Sequence, residues 1–387
     1  MDTVPPRPAP TVDSGRDARG PRRDRVALVL QGGGALGAYQ GGVFQALEAG
    51  GIVPDWIAAV SIGAINGAII AGNPPERRLE RLRSFWELIT ARRVEWPVLD
   101  GDTAHRIAIN VSAAGSILFG QPGFFKPNLP GPWLSPRGSK QATAYYDTSP
   151  LRETLLHFVD FDLLNDGPIR FAVSAVNVAS GNFAFFDNRS TRILPEHIMA
   201  SAALPPGFPM VQVGTDYFWD GGTVSNTPLS HVLTTIEGAD ALVFQVDLFS
   251  ASGRLPRDIQ EVSARQKEIQ YSSRTRMVTD AFKSQYTLRS RIRQLLERLP
   301  ADQRTEEDRL QLEALRELPE VSILQLIYQQ AAYEGDSQDY EFSRRSMNDH
   351  WESGRRDTRL TLERKDWLKI PGPETAIVSH DIHRPDE

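Results

Sequence analysis

The sequence of 387 residues predicts an α/β fold: a three-layer α/β/α arrangement around a mostly parallel central sheet, followed by a mainly helical C-terminal extension. Short apolar runs typical of buried strands alternate with segments whose apolar residues recur every three or four positions. This alternation predicts parallel strands with helices on both faces. After residue 250 the sequence changes to long, charged stretches in which apolar residues keep helical spacing.

The alternation of strands and helices is clearest near the start of the folded region. In chain order, the predicted elements are strand 26–30, helix 35–50, strand 56–60, helix 62–71 and a charged helix at 76–90.

The middle of the chain contains an exception to this order. Residues 96–149 are rich in proline, glycine and aromatic residues, which predicts a long loop that covers a site. The elements predicted after it are helix 149–158, strands 170–176 and 181–186, helix 198–203, and strands 217–219 and 241–249.

The extension contains a strongly basic segment. Residues 265–298 carry nine basic and three acidic side chains at helical spacing, which predicts a basic amphipathic helix or helix pair. Such a face either packs on the parent domain or contacts an anionic membrane surface. A strand at 321–328 and a charged helix at 340–362 are expected after it.

Composition limits the function further. An apolar fraction of 40% and a charged fraction of 24% indicate a globular protein, and the net charge of -6 argues against a nucleic-acid partner. The absence of cysteine excludes disulfides, a cysteine nucleophile and thiolate metal sites. The expected domains are a disordered leader at 1–24, a catalytic domain at 25–250 and an extension at 251–387, in a cytoplasmic protein without a secretion signal.

A glycine loop, GGGALG at 32–37, separates the first predicted strand and helix. It fits the dinucleotide pattern G-x-G-x-x-G, but that fold requires an acidic residue after the second strand, and Asp55 precedes that strand. Amides at a helix N-terminus favour negative charge and can equally stabilise the oxyanion of an acyl transfer. A turn that only permits close packing is the alternative.

Ser61 lies in the second strand-to-helix turn, in the sequence AVSIGA at 59–64. This is a nucleophile elbow in which Ala59 replaces the first glycine of G-x-S-x-G. The alternative is a serine that only caps helix 62–71. The glycine loop favours the nucleophile, because neighbouring parallel strands end at the same sheet edge.

A serine nucleophile needs a base, and histidine is the usual one. Among the histidines, His380 and His383 fall in an expected loose tail, whereas His197 and His231 stay open as bases. Asp220, which follows a short strand and precedes two glycines, is the other candidate. Its alternative is an ordinary turn residue.

The motifs GGGxxG, xSxG and DGG, in this order, resemble the patatin-like phospholipase family. The block ASAALP at 200–205, continued by Phe208 and Pro209, is similar to the family's block before the aspartate turn. The resemblance covers about residues 26–232, and residues 339–362 are similar to the tails of one bacterial branch of the family.

The resemblance implies a serine lipid acyl hydrolase that uses a Ser–Asp dyad and needs neither cofactor nor metal. Ser61 would be the nucleophile and Asp220 the general base, with an oxyanion hole made by amides of Gly32, Gly33 and Gly34. The glycines that support the motifs are Gly37, Gly63, Gly221 and Gly222. The arginine common in the family's glycine loop is absent here.

The expected partner is a lipid or fatty-acyl ester, with segment 96–149 covering an acyl groove. Packing of 265–298 on the parent domain is the favoured interpretation of the basic segment, and peripheral contact with an anionic membrane is its alternative. A catalytically idle protein that binds membranes or lipid inclusions is the alternative, favoured by Ala59 and the missing arginine. A histidine-dependent α/β-hydrolase is the other enzymatic interpretation. The sequence specifies no oligomeric state.

Overall fold

The centre of the fold is a nine-stranded sheet. The computed structural model describes residues 25–91, 115, 118–236, 239–316, 318–329 and 338–383. The predicted leader and much of the predicted cover segment, residues 96–114 and 116–117, lie outside the described residues. The strands are β1 Arg25–Leu30, β2 Trp56–Ala59, β3 Lys126–Pro127, β4 Tyr146–Asp147, β5 Arg170–Asn177, β6 Phe183–Asp187, β7 Val211–Val213, β8 Asp216–Asp220, β9 Ala241–Asp247, β10 Val321–Ile327 and β11 Ile377–Asp381.

The sheet has the order β11-β10-β9-β1-β2-β5-β8-β7, with β6 also paired to β5, while β3 and β4 form a separate two-stranded ladder. The strands from β11 to β5 along this order run parallel, and β6, β7 and β8 pair antiparallel. The predicted α/β class with a mostly parallel sheet is therefore confirmed.

The described helices cover both faces of the sheet. They are α1 Ala38–Ala49, α2 Ile62–Ala71, α3 Arg78–Ile89, α4 Ser149–Phe158, α5 Phe161–Asp166, α6 Pro195–Ser201, α7 Leu229–Thr235, α8 Ile259–Tyr271, α9 Thr275–Arg298, α10 Glu306–Ala314 and α11 Arg344–Glu363. The predicted basic segment is a helix pair, α8 and α9, and the mainly helical character of the C-terminal region is confirmed.

Alternate residues of β1 divide the core into two layers. Leu28 and Leu30 belong to a large cluster with α1, α2 and α3, whereas Ala27 and Val29 belong to a cluster on the other face with α7. This follows from strand geometry, in which successive side chains point to opposite faces. All four side chains are fully buried, so β1 is a central strand with helices on both sides.

The C-terminal region continues the same sheet. Strand β10 pairs in parallel with β9, and β11 pairs in parallel with β10. The prediction of a single strand after residue 250 and of His380 in a loose tail is therefore wrong: β11 includes His380, whose ring stacks on Trp367 at 4.9 Å between centroids. The strand was missed because only its first two residues are apolar. The domain boundary at residue 250 stays a prediction.

Helices α11 and α1 pack with their backbones in direct contact. A Cβ added at Gly42 would lie 1.8 Å from the carbonyl oxygen of Trp351, and one added at Gly354 would lie 2.1 Å from that of Tyr39. Only glycine permits this approach. The Tyr39 hydroxyl also donates to Asp357 at 3.0 Å, so α1 is fixed from its first turn by the C-terminal region.

None of the helices among the described residues is long and apolar enough to pass through a bilayer.

Candidate active site

The register of the sheet brings the predicted site residues together at the carboxyl edge. Leu30, the last residue of β1, pairs with Ala59, the last residue of β2, so the glycine loop and the Ser61 turn emerge side by side. On the next strand Val173 pairs with Ala59, and two residues further Ala175 pairs with Asp220. Asp220 is therefore level with residue 61.

Ser61 adopts a backbone conformation that few side-chain-bearing residues use, with φ 57° and ψ −127°. Such strain persists where the surroundings fix it. Here the Ser61 amide donates to the hydroxyl of Ser201, at the end of α6, at 3.1 Å. Behind the turn, a Cβ at Gly63 would lie 2.6 Å from the Leu30 carbonyl oxygen, so glycine lets α2 begin directly against β1.

Asp220 is buried and accepts a hydrogen bond from the Gly222 amide at 2.7 Å, and the Ser61 hydroxyl lies near enough to the same carboxyl to stabilise its ionised form. Burial raises the pKa of the Asp220 carboxyl to about 7, and the nearby Ser61 hydroxyl and Gly222 amide oppose that rise. The Asp220 amide donates to the Ala203 carbonyl at 3.0 Å. A carboxyl with this pKa is a stronger base than an ordinary aspartate and can exchange a proton with the serine hydroxyl.

The glycine loop lies against the Ser61 turn. A Cβ at Gly32 would lie 2.8 Å from that of Ser61, and Gly34 has φ 55°. The amides of Gly33 and Gly34 donate to no acceptor in the described parts of the chain. They are therefore available to a ligand, as an oxyanion hole requires.

Two buried polar residues hold this loop, and neither was predicted from the sequence. The Gln31 side chain accepts from the amides of Leu248 and Phe249 at 2.6 and 2.9 Å and donates to the Tyr271 carbonyl at 2.9 Å. Asn226 donates to the carbonyls of Gly32 and Tyr271, both at 3.0 Å. Since the Gly32 carbonyl and the Gly33 N–H share one planar peptide, Asn226 also fixes the direction of that N–H.

A cleft of about 780 Å³, including the solvent at its mouth, opens over these groups. Gly32, Gly33, Gly34 and Gly222 line it, whereas Gly37, Gly63 and Gly221 pack behind it against Ile62, Leu30 and Ser174. The rest of the lining is largely aromatic and aliphatic. Its apolar residues are Ile62, Phe124, Phe125, Tyr146, Ala202, Leu204, Phe208, Phe249, Tyr271, Tyr340 and Phe342.

The part of the predicted cover that the structure describes forms one wall of this cleft. Phe125 packs on Tyr146 and on Phe208, with ring centroids 4.8 and 5.2 Å apart, and Phe124 packs on Phe342 at 6.2 Å. Residues of 118–149 therefore meet the block that precedes Asp220 and the C-terminal region in the wall of the cleft that Ser61 lines.

The two histidines left open as bases lie elsewhere. His231 stacks on Phe185 at 4.0 Å and lies 3.5 Å from Asp187, near Trp56 at the amino end of β2. His197 is buried, and its Nδ1 accepts from the Leu194 amide at 2.9 Å. Burial lowers the pKa of His197. Within the described part of the chain, no histidine lines the cleft.

The same part of the chain holds no group of three or more histidine, aspartate or glutamate side chains that could bind a metal ion. Ala59, which replaces the first glycine of the elbow pattern, is fully buried as the last residue of β2.

Comparison with known families identifies the class of protein. A family model described as "Patatin-like phospholipase" matches residues 28–233, and a second, described as "Patatin phospholipase", matches residues 269–374. The first spans more than half of the chain and contains Ser61, Asp220 and the glycine loop. The chain belongs to the patatin-like phospholipase family.

Two relatives are each similar to a short part of the chain. The chain is 41% identical over 88 residues to "Lysophospholipase nte1" of Aspergillus terreus, covering 21% of this chain and 6% of that protein. It is 38% identical over 88 residues to "Patatin-like phospholipase domain-containing protein 6" of Mus musculus, covering 23% and 6%. The matched stretch is thus a small fraction of each relative's length.

Two solved structures are also similar. VipD from Legionella pneumophila aligns with 13% identity and a TM-score of 0.37, covering 88% of this chain and 67% of that one. The type III effector protein ExoU aligns with 12% identity and a TM-score of 0.32, covering 89% and 54%.

Proposed function

We propose that this protein is a serine hydrolase of lipid acyl esters, in which Ser61 is the nucleophile and Asp220 the general base. The observation that supports the proposal most is that the Ser61 hydroxyl lies beside a buried carboxyl, that of Asp220, in the lining of one cleft, and that the pKa of this carboxyl is raised to about 7. The apolar cleft above that pair suits a fatty-acyl chain.

In the first half of the reaction, Ser61 Oγ attacks the ester carbonyl carbon while its proton passes to the Asp220 carboxylate. Concerted transfer is required, because a free alkoxide would be far too basic for a carboxylate to generate. The amides of Gly33 and Gly34 and the N-terminus of α2 stabilise the oxyanion. When the tetrahedral intermediate collapses, the alcohol leaves with the proton from Asp220, and Ser61 carries the acyl group.

In the second half, a water molecule attacks the acyl carbonyl and gives its proton to Asp220. Collapse of the second tetrahedral intermediate releases the fatty acid and returns the proton to Ser61 Oγ. Each cycle consumes one ester and one water and restores both side chains.

The test is hydrolysis of short-chain and phospholipid esters by Ser61→Ala and Asp220→Asn variants. We expect each to lower kcat by about 10⁴-fold while the thermal unfolding temperature stays at or above that of the parent. A fluorophosphonate probe should label the parent at Ser61 and leave Ser61→Ala unlabelled.

Asp247→Asn is the matched control, because Asp247 is also fully buried, at the end of β9, and burial raises its pKa to about 6. It should keep most of the activity. Full turnover by Ser61→Ala or Asp220→Asn would refute the dyad.

Binding of lipid vesicles without turnover by the parent would favour the idle lipid-binding protein instead. Membrane contact through 265–298 and a cytoplasmic location stay predictions.

A further inference from the structure

The described part of the predicted cover includes a loop that is flanked by Phe125 and Tyr146, which line the cleft. We call residues 128–145 the rim loop. The loop is closed at its base by the β3–β4 ladder and by a hydrogen bond from the Asn128 amide to the Tyr145 carbonyl at 2.9 Å. The amides of Tyr145 and Tyr146 donate to the carbonyls of Pro206 and Gly207 at 3.3 and 3.0 Å. The base of the rim loop is therefore tied to Gly207, which lines the cleft, and to the adjacent Pro206.

The first half of the rim loop exposes large apolar side chains to solvent. Leu129 and Trp133 are each 88% exposed and Leu134 is 81% exposed. Burying such a side chain is worth roughly 1.5–3 kcal/mol, so a fold that leaves three of them in water on one loop does not use them for its own stability. Clusters of this kind mark surfaces that meet a partner.

The charge of this segment indicates which partner. Residues 126–146 contain Lys126, Arg137 and Lys140 and no acidic residue, in a chain whose net charge is -6. Within the described chain, Arg137 and Lys140 form no ion pair, whereas Lys126 pairs with Asp147 at 3.2 Å. Basic side chains around exposed Trp and Leu are typical of segments that enter the surface of an anionic bilayer, where Trp prefers the headgroup level.

The basic segment 265–298, whose alternative interpretation was membrane contact, extends away from the cleft. Helix α9 begins at the carboxyl edge, where the Gln245 side chain donates to Thr275 at 2.6 Å. It then runs to the amino edge, where Tyr286 packs against Ala376, just before β11. Leu288 and Leu295, each 60% exposed, lie further along, and Leu295 is about 30 Å from Thr275 at 1.5 Å per residue. A bilayer that touched this end would be remote from the cleft.

We infer that the rim loop is the membrane-docking surface of the protein: Leu129, Trp133 and Leu134 enter an anionic phospholipid surface and hold the cleft mouth against it. The purpose of this docking rests on the proposed lipid hydrolysis, but the docking itself does not require Ser61 to react.

The test measures cosedimentation with vesicles in a Ser61→Ala background, so that no lipid is consumed. The vesicles are phosphatidylcholine mixed with phosphatidylglycerol, or phosphatidylcholine alone. The double variant Trp133→Ser with Leu134→Ser, which we call the rim-loop pair, should weaken binding to the mixed vesicles by about tenfold or more. Arg137→Ala with Lys140→Ala should weaken it by about tenfold, mainly by removing the preference for the anionic lipid.

Leu288→Ser with Leu295→Ser is the matched control, because it removes two exposed leucines beside arginines at the other edge of the sheet. It should bind as the Ser61→Ala parent does. With Ser61 restored, the rim-loop pair should lose turnover of vesicle lipid and keep turnover of a monomeric short-chain ester.

Equal vesicle binding by the rim-loop pair and its parent would overturn the inference. Loss of binding in the Leu288 and Leu295 pair alone would overturn it in favour of α9. A change of oligomeric state in the rim-loop pair, seen by size-exclusion chromatography without a change in vesicle binding, would assign the loop to a protein interface instead. Absence of turnover in every variant would count against the proposed function and leave the binding result intact.

Discussion

The regions matched by the two family models contribute differently to the candidate site. Residues 28–233 contain the groups that would react: the Ser61 hydroxyl, the Asp220 carboxyl and the amides of the glycine loop. Residues 269–374 contain none of the proposed catalytic groups, but they supply the Tyr271 carbonyl that accepts from Gln31 and Asn226, and the Phe342 ring in the cleft wall. The proposed reacting groups thus lie in the first region, whereas the residues that position them come from both: Gln31, Ser201 and Asn226 from the first region, and the Tyr271 carbonyl from the second.

We expect the largest effect on stability from a substitution in the contact between α1, in the first region, and α11, in the second. Gly42→Ala would place a methyl group 1.8 Å from the Trp351 carbonyl oxygen, so the helices must separate. We expect the free energy of unfolding to fall by about 3 kcal/mol, measured by urea denaturation. Hydrolysis should fall as well, because α1 follows directly on the glycine loop.

Gly131→Ala is the control for this substitution. A Cβ at Gly131 meets nothing within 4 Å, and its φ of −64° is ordinary for alanine. Stability should therefore change by less than about 0.5 kcal/mol. If Gly42→Ala were equally mild, the C-terminal region would not hold α1 in the way described.

A substitution within the first region should affect the reaction and spare the fold. Ser201→Ala removes the acceptor of the part-buried Ser61 amide, at a cost of about 1 kcal/mol. Because the bond holds Ser61 at φ 57°, we expect kcat and the rate of fluorophosphonate labelling to fall by about tenfold. The KM for a short-chain ester should stay close to that of the parent.

Ser174→Ala is the matched control for Ser201→Ala. Ser174 is equally buried, and its hydroxyl has no hydrogen-bond partner in the described chain. Its removal should change neither kcat nor the labelling rate. Equal effects of the two substitutions would mean that the Ser61 turn does not depend on Ser201.

The sequence predicted the first region better than the second, for a physical reason. Unbroken apolar runs and tight glycine turns specify buried parallel strands, so β1, β2 and the turns after them were located within a few residues. Strand β11 is an edge strand with a polar second half, and its pairing is set by β10 rather than by its own pattern. Its existence depends on tertiary context that a local pattern does not contain.

In the candidate site, too, local sequence patterns predicted some residues and not those whose role depends on tertiary contacts. The backbone positions of the glycine loop, Ser61 and Asp220 follow from their motifs, and the register of β2 and β5 brings them level. Gln31 and Asn226 were missed because a buried amide side chain has no characteristic spacing. Gln31 directly precedes the glycine loop, and a polar residue at the end of a buried strand was the one signal that could have found it.

The dependence of activity on pH should distinguish Asp220 from Asp247, two buried carboxyls whose pKa values are raised. If Asp220 must be ionised to accept the Ser61 proton, kcat/KM should fall as pH drops through about 7, tenfold per unit well below that value. Above it, activity should rise only about twofold, because half of the carboxyls are already ionised at the pKa. The sign is that of a base: protonation at low pH removes the acceptor.

The Asp247→Asn variant tests whether the acid limb of the pH profile belongs to Asp220. Burial raises the pKa of Asp247 to about 6, and Ser273, which precedes α9, donates to its carboxyl at 2.8 Å. The acid limb of the Asp247→Asn profile should keep its midpoint near 7, since Asp220 is unchanged. A limb that disappears in this variant would make Asp247 the controlling group, and part of the chemistry would then depend on a carboxyl bound to the C-terminal region.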